Sequence, residues 1–162
     1  MISNKMQEAI NAQINAEMWS AYLYLSMSME ATDNDMKGVA HWFRKQFDEE
    51  MEHAMKFVDY LHSQMARVEL KPIAAVPTKW DGCPVKMFEQ TLEHEKKVTS
   101  MIHNLYEMAV KEKDYATSIM LQWFVNEQVE EEANAQEILN TLKCIGKEKT
   151  AFFLYDKELG KR

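Results

Sequence analysis

The sequence predicts an all-α protein: an antiparallel four-helix bundle with one long crossover and a short C-terminal fifth helix. Three observations carry this. Four long stretches repeat apolar residues at alternating three- and four-residue steps. Only four Gly and three Pro occur in 162 residues, too few turn formers for a β fold. The one long aperiodic stretch, Ala66 to Gly82, carries Pro72 and Pro77 and divides the periodic stretches into two pairs.

The first helix is expected over about residues 3–31, with the seam Ile10, Ile14, Glu17, Ala21, Tyr24, Ser28. "ATDND" breaks it. The second spans about 35–64 with Phe43, Phe47, Glu50, Ala54, Phe57, Leu61. Pro84 suits the first turn of a third helix, 84–112, where its missing N–H costs nothing; its seam is Phe88, Leu92, Glu95, Thr99, Ile102, Tyr106, Ala109. Asp114 is a natural N-cap for a fourth, 115–143, with Leu121, Phe124, Gln128, Glu131, Ala135, Ile138, Leu142, and Gly146 offers its stop. "TAFFLYDKEL", about 150–159, reads as a short fifth helix whose apolar surface needs a docking partner. Short connections make antiparallel neighbours within each pair. The crossover, extended, reaches roughly 55 Å, enough to return along a bundle about 42 Å long. It therefore leaves the second and third helices parallel, and residues 1–162 read as one domain.

Composition narrows the function. A net charge of −7 argues against nucleic acid and suits a protein that collects cations. No stretch approaches a membrane span. The N-terminal "MISNKMQEAINAQINAEMW" has no secretory signature. Cys83 and Cys144 form no CxxC pair and no disulfide framework, so a reducing, cytoplasmic location is expected.

Every seam carries a polar break near its middle: Glu17, Glu50, Glu95 and Glu131. Glutamate is almost never buried without a partner, and no Lys or Arg falls on these seams. Four converging carboxylates repel one another unless divalent cations join them. Glu50 and His53 stand at i, i+3 and face one point; Gln128 and Glu131 repeat the spacing on the fourth helix. Oxygen-rich ligation with one imidazole suits iron or manganese better than zinc or copper. Di-iron carboxylate bundles place one Glu on each of two helices and Glu-x-x-His on each of the other two. This chain departs on its fourth helix, with Gln-x-x-Glu.

Over nearly its full length the chain resembles the bacterial non-haem ferritins, members of the ferritin-like di-iron family. The resemblance rests on "EMWSAYLY", "FDEEMEHAMKFVDYL", "EHEKKVTSMI", "LQWFVNEQVEEE" and "YDKEL". It implies an iron-storage subunit that oxidises Fe(II) with O2, or H2O2, at a di-iron ferroxidase centre. The product would be ferric oxide mineral inside a homo-oligomeric shell of twenty-four subunits. Glu17, Glu50 and His53 would hold one iron; Glu50 would bridge to a second, held by Glu95 and Glu131 with Gln128 nearby. Glu49, Glu127 and Glu130 match a third iron site, and Tyr24 a tyrosine beside the centre. The fifth helix would meet other subunits at the fourfold axes. No haem is expected. The alternatives are a haem-containing bacterioferritin, using Met51 beside Glu50, and a rubrerythrin-like oxidase or peroxidase. The latter favours a second Glu-x-x-His and a CxxC module, which this sequence lacks. A metal-free helical interaction bundle is opposed by the four glutamates. His94 is expected to point off the seam; His41, His62 and His103 have no partner spacing; the 13 Met, Trp42 and Trp123 read as packing or interface.

Overall fold

The computed structural model describes residues 2–162. Among them are five helices: α1 (Asn4–Asp33), α2 (Lys37–Ser63), α3 (Pro84–Glu112), α4 (Tyr115–Ile145) and α5 (Lys149–Leu159). Each starts within about two residues of its expected position. Ser3 caps α1 by accepting from the Met6 N–H, and Asp114 caps α4 by accepting from Thr117. No helix among the described residues is long and apolar enough to cross a membrane.

The long connection follows α1 for most of its length. Asn11 donates to the Arg67 carbonyl and accepts from the Glu69 N–H; Asn15 donates to Lys71 and Pro72. Trp19 donates to Ala75 and Ser26 to Pro77. Near the far end, one oxygen of Glu30 accepts the N–H groups of both Trp80 and Gly82. A stripe of polar donors and acceptors on α1 thus satisfies backbone groups of a segment that has no helical ladder of its own. The connection ends beside the start of α2, so α2 and α3 run parallel.

Two apolar cores fill the bundle. One contains Leu23, Met27, Phe43, Phe88, Leu139 and Leu142; the other contains Ile10, Ile14, Phe57, Leu61, Ile102 and Phe124. The stacked rings of Phe57 and Phe124, 4.0 Å apart, fix α2 against α4 in the second. Between the two cores lies a polar layer.

The fifth helix docks on its own bundle. Met36 provides no side-chain cap for α2. Instead Asp156 of α5 accepts from Gly38 N–H at 3.0 Å and Val39 N–H at 2.9 Å. The approach is so close that a Cβ on Gly38 would lie 1.5 Å from the Asp156 carbonyl oxygen. Phe152, Tyr155 and Leu159 pack on the first core, while Phe153 and Leu154 stay exposed. The apolar surface of this helix is therefore divided between its own subunit and the outside.

Asp156→Ala should uncap α2 and loosen α5. The expected cost is about 1–2 kcal/mol, the range for a lost helix cap. Hydrogen exchange should show the α5 amides losing protection first; unchanged protection there would mean that packing alone holds the helix.

Candidate metal centre

The polar layer is built from all four long helices. Glu17 (α1), Glu50 and His53 (α2), Glu95 (α3), and Gln128 and Glu131 (α4) are all buried. Two groups of converging ligand atoms result: Glu17, Glu50 and His53, and beside them His53, Glu127 and Glu131. His53 Nδ1 lies 3.4 Å from Glu50 Oε2, and Nε2 lies 3.9 Å from Glu127 Oε1. The histidine stands between the two groups, as its i, i+3 spacing from Glu50 requires.

Neutral donors surround these carboxylates. Gln13 donates to Glu17 at 2.8 Å, and Gln46 to Glu131 at 2.7 Å. Tyr24, fully buried, donates its hydroxyl to Glu95 Oε1, and Gln128 donates to Glu95 Oε2 at 3.1 Å. Glu17 Oε2 and Glu50 Oε2 are buried with no hydrogen-bond partner. Buried carboxylate oxygens are seldom left this way, because desolvation without a partner is costly. No Lys or Arg is buried among the described residues.

Comparison with known proteins identifies the family of the fold. The ferritin-like domain model of the ferritin family matches residues 7–145. A bacterial non-heme ferritin of Bacteroides fragilis is 46% identical over 162 residues, 100% of both chains. Another of that name from Staphylococcus aureus is 36% identical, over 100% of this chain and 97% of its own length. The open-pore ferritin of the archaeon Archaeoglobus fulgidus has a TM-score of 0.98 at 49% identity, over 100% of this chain and 99% of that one.

The chain belongs to the ferritin family.

Within this ferritin fold several features depart from what the seams alone suggest. The ligand atoms of Glu49, Glu127 and Glu130, which the family resemblance puts in a third iron site, do not converge in one group, although the charges of Glu130 and Glu49 still raise Glu127. Glu127 joins His53, Glu130 is exposed, and Glu49 is turned to Arg162 at 2.5 Å. His94, expected off the seam, lies beside the layer: Ser20 lies 2.7 Å from its Nε2, and its ring packs against Trp19 and Tyr24. Gln13 and Gln46 were missed by sequence reasoning. Each sits four residues before the carboxylate on its own helix, Glu17 and Glu50, a spacing that signals a same-face partner.

Burial raises every carboxyl of the layer. Glu17 is pushed up to about 7, against which the Gln13 hydrogen bond pulls. Glu131 is pushed up to about 8, by burial and then by the charge of Glu95. Glu50 is raised well above its usual range by burial, then by Glu95 and Glu17; Glu95 is raised by burial and partly restored by Tyr24 and Gln128. Burial and then Lys56 lower His53 to about 4, and burial and then Lys97 do the same to His94.

These shifts fix the sign of a pH dependence. Above the usual glutamate value of 4.5 the unfolded chain sheds protons that folded Glu17 and Glu131 keep until about 7 and 8. Stability from these groups is present at low pH and is lost as pH rises through those values. The two histidines act oppositely, losing their contribution as pH falls from 6.5 toward 4. From pH 6.5 to 8, then, the carboxylates dominate among these groups. The metal-free protein should melt at a lower temperature at pH 8 than at pH 6.5, and saturating Zn(II) should remove the decline. Glu17→Gln with Glu131→Gln should make it shallower, leaving the part due to Glu50 and Glu95. A metal-free melting temperature that climbs across this window would contradict the assignment.

Proposed function

We propose that this chain stores iron, and that the polar layer is where Fe(II) is oxidised before deposition as ferric oxide. One observation carries the reading: buried oxygens of Glu17 and Glu50 accept from no neutral donor and face only each other and the His53 imidazole, in a layer with no buried Lys or Arg among the described residues. A divalent cation supplies the missing partner and the missing charge. Iron fits the donor set, since hard carboxylate oxygens with a single imidazole favour iron over softer metals and stabilise Fe(III) over Fe(II).

In this reading Glu17, Glu50 and His53 receive one Fe(II). Glu50 is shared with a second, received by Glu95 and Glu131, with Gln128 alongside. Two Fe(II) give one electron each to O2, reducing it to hydrogen peroxide. Hydrolysis of the two Fe(III) to ferric oxyhydroxide releases six protons, of which two enter the hydrogen peroxide, so the net release is four. The residues prepare this in two ways. Gln13, Gln46, Tyr24 and Gln128 hold carboxylate oxygens in place with neutral donors, so no buried ion pair has to be broken when a cation arrives. The neutral His53 imidazole, kept so by burial, offers a lone pair rather than a proton. A groove of about 520 Å³ lined by Glu49, Glu52, His53, Lys56, Asp59 and Glu127, four acids to one lysine, opens beside the centre and is the approach for a cation. Tyr24, bonded to Glu95, is placed to steady that ligand.

Assembly into a closed homo-oligomeric shell of twenty-four subunits, without haem, completes the proposal. The exposed Phe153 and Leu154 on α5 support a contact between subunits there. Mineral storage needs such an enclosure, because ferric oxide precipitates when it is not confined. A cytoplasmic site of action follows from the same family reading.

Glu50→Ala removes the shared ligand. Rapid Fe(II) oxidation at two irons per subunit, followed by stopped-flow absorbance, should slow by at least about a hundredfold, since loss of a supporting residue alone costs about ten- to a hundredfold. Helix content should hold, because the variant relieves repulsion among buried acids in the metal-free state. Wild-type speed in this variant would reject Glu50 as the shared ligand.

A further inference from the structure

Two cations flank the acidic groove, and they are held differently. Lys56 rests over Trp123, its Nζ 3.9 Å from the ring centroid. Arg162, which follows α5, has several partners although part of it stays exposed. One guanidinium nitrogen donates to Gln46 Oε1 at 2.8 Å, and another lies 2.5 Å from Glu49 Oε2. The guanidinium carbon sits 4.5 Å from the centroid of Trp42, and a main-chain oxygen of Arg162 lies 2.8 Å from His41 Nε2.

This places a protein cation at the junction of centre and groove. Arginine is a donor only, so Gln46 must turn its oxygen toward Arg162 and its NH2 group toward Glu131. On the groove side, Glu49 shares the lining with Glu52, Asp59 and Glu127. Even so, the ligand atoms that converge on His53 come from Glu127 and Glu131, without Glu49. Glu49 is engaged by the guanidinium instead. The side chains of Arg162 and Glu49 are 25% and 41% exposed, and an ion pair so open to water contributes little. A divalent cation can displace it.

We propose that Arg162 is an internal counter-cation: in the metal-free chain it holds Glu49 away from Glu127, and it yields Glu49 to a cation that binds in the groove. The proposal rests on the iron reading above. Its signature is a pair of effects of opposite sign. Losing the guanidinium should leave the acids less balanced, so the metal-free chain becomes less stable. It should also free Glu49, so a cation beside Glu127 binds more tightly. A residue that matters only for packing lowers stability without improving binding.

The test uses the full-length protein and Zn(II), which binds without redox change. Calorimetric Zn(II) titration and metal-free thermal unfolding are measured for wild type, Arg162→Ala and Arg162→Lys, each with and without Glu49→Gln. In Arg162→Ala the weakest Zn(II) site should tighten roughly threefold to fivefold, the worth of an exposed ion pair, while the metal-free melting temperature falls. Arg162→Lys should lie between, because an ammonium lacks the planar fork that reaches Gln46 and Glu49 together. With Glu49→Gln, loss of Arg162 should leave Zn(II) affinity unchanged. Equal or weaker Zn(II) binding in both Arg162 variants overturns the proposal. So does tightening that persists with Glu49→Gln, which assigns the effect to net charge alone. Should Arg162→Ala fail to fold, the lysine variant decides by the same criteria. A wild-type protein that takes up no Zn(II) sinks the iron reading and this one with it. A wild type that binds Zn(II) normally, with variants that match it, sinks only this one.

Discussion

The cost of burying carboxylates midway along a bundle governs the rest of this structure. Glu17, Glu50, Glu95 and Glu131 are taken from water by the same packing that buries Ile14, Phe43, Phe57 and Phe124. A hydrophobic interior favours the neutral acid, and like charges favour it further. The fold meets this cost by separation. One apolar core lies on each side of the acids, so packing on both sides holds the helices at a spacing that the acids alone would not choose. Stability and site are therefore opposed locally and reconciled over the length of the bundle. The layer is where the chain gives up packing energy for a place to bind charge.

Helix direction matters to the same balance. Because the crossover returns along α1, α2 and α3 run parallel, and α1 meets α3 and α2 meets α4 antiparallel. Tyr24 then reaches Glu95, and Gln46 reaches Glu131. The return path depends on polar side chains on the outer face of α1. Asn11, Asn15, Trp19, Ser26 and Glu30 satisfy the connection's backbone while the inner face of α1 supplies Glu17 and Tyr24. One helix thus carries two readable stripes, one for the core and one for the connection.

Much of this was legible in the sequence, and what was not has a physical explanation. Helix limits and the converging seams follow from periodicity and caps, which are local properties. The crossover's reach followed from its length. Its track did not, although the 11, 15, 19, 26, 30 spacing on α1 is a second helical stripe that could have signalled it. Gln13 and Gln46 escaped notice because an amide on a helix reads as surface until its neighbour is known to be a buried acid. Arg162 escaped for a different reason. No Lys or Arg lies on the seams, which is correct, yet a guanidinium can arrive from elsewhere in the chain. Its contacts with Gln46 and Glu49 span more than a hundred residues, a separation that periodicity cannot address. The docking of α5 through Asp156 is the same kind of long-range contact.

The arrangement of donors separates two halves of the layer. Each oxygen of Glu95 already accepts a hydrogen bond, from Tyr24 on one side and Gln128 on the other, and Glu131 accepts one from Gln46. Glu17 and Glu50 each keep a buried oxygen with no partner, and both belong to the group completed by His53. Both oxygens of Glu95 must give up hydrogen bonds to turn to a cation, whereas Glu17, held by Gln13 through one oxygen, and Glu50 each have a second oxygen that no neutral donor holds. Gln128 sharpens the contrast. A histidine at that position would offer a lone pair, whereas here the amide spends its N–H groups on the Glu95 side chain and carbonyl and on Thr99. In the proposed iron reading, the fourth helix thereby offers fewer free donor atoms than the second. If the layer takes up Fe(II) and releases an oxidised product, as proposed, this inequality suits it: one side is ready to bind and the other is satisfied without a cation.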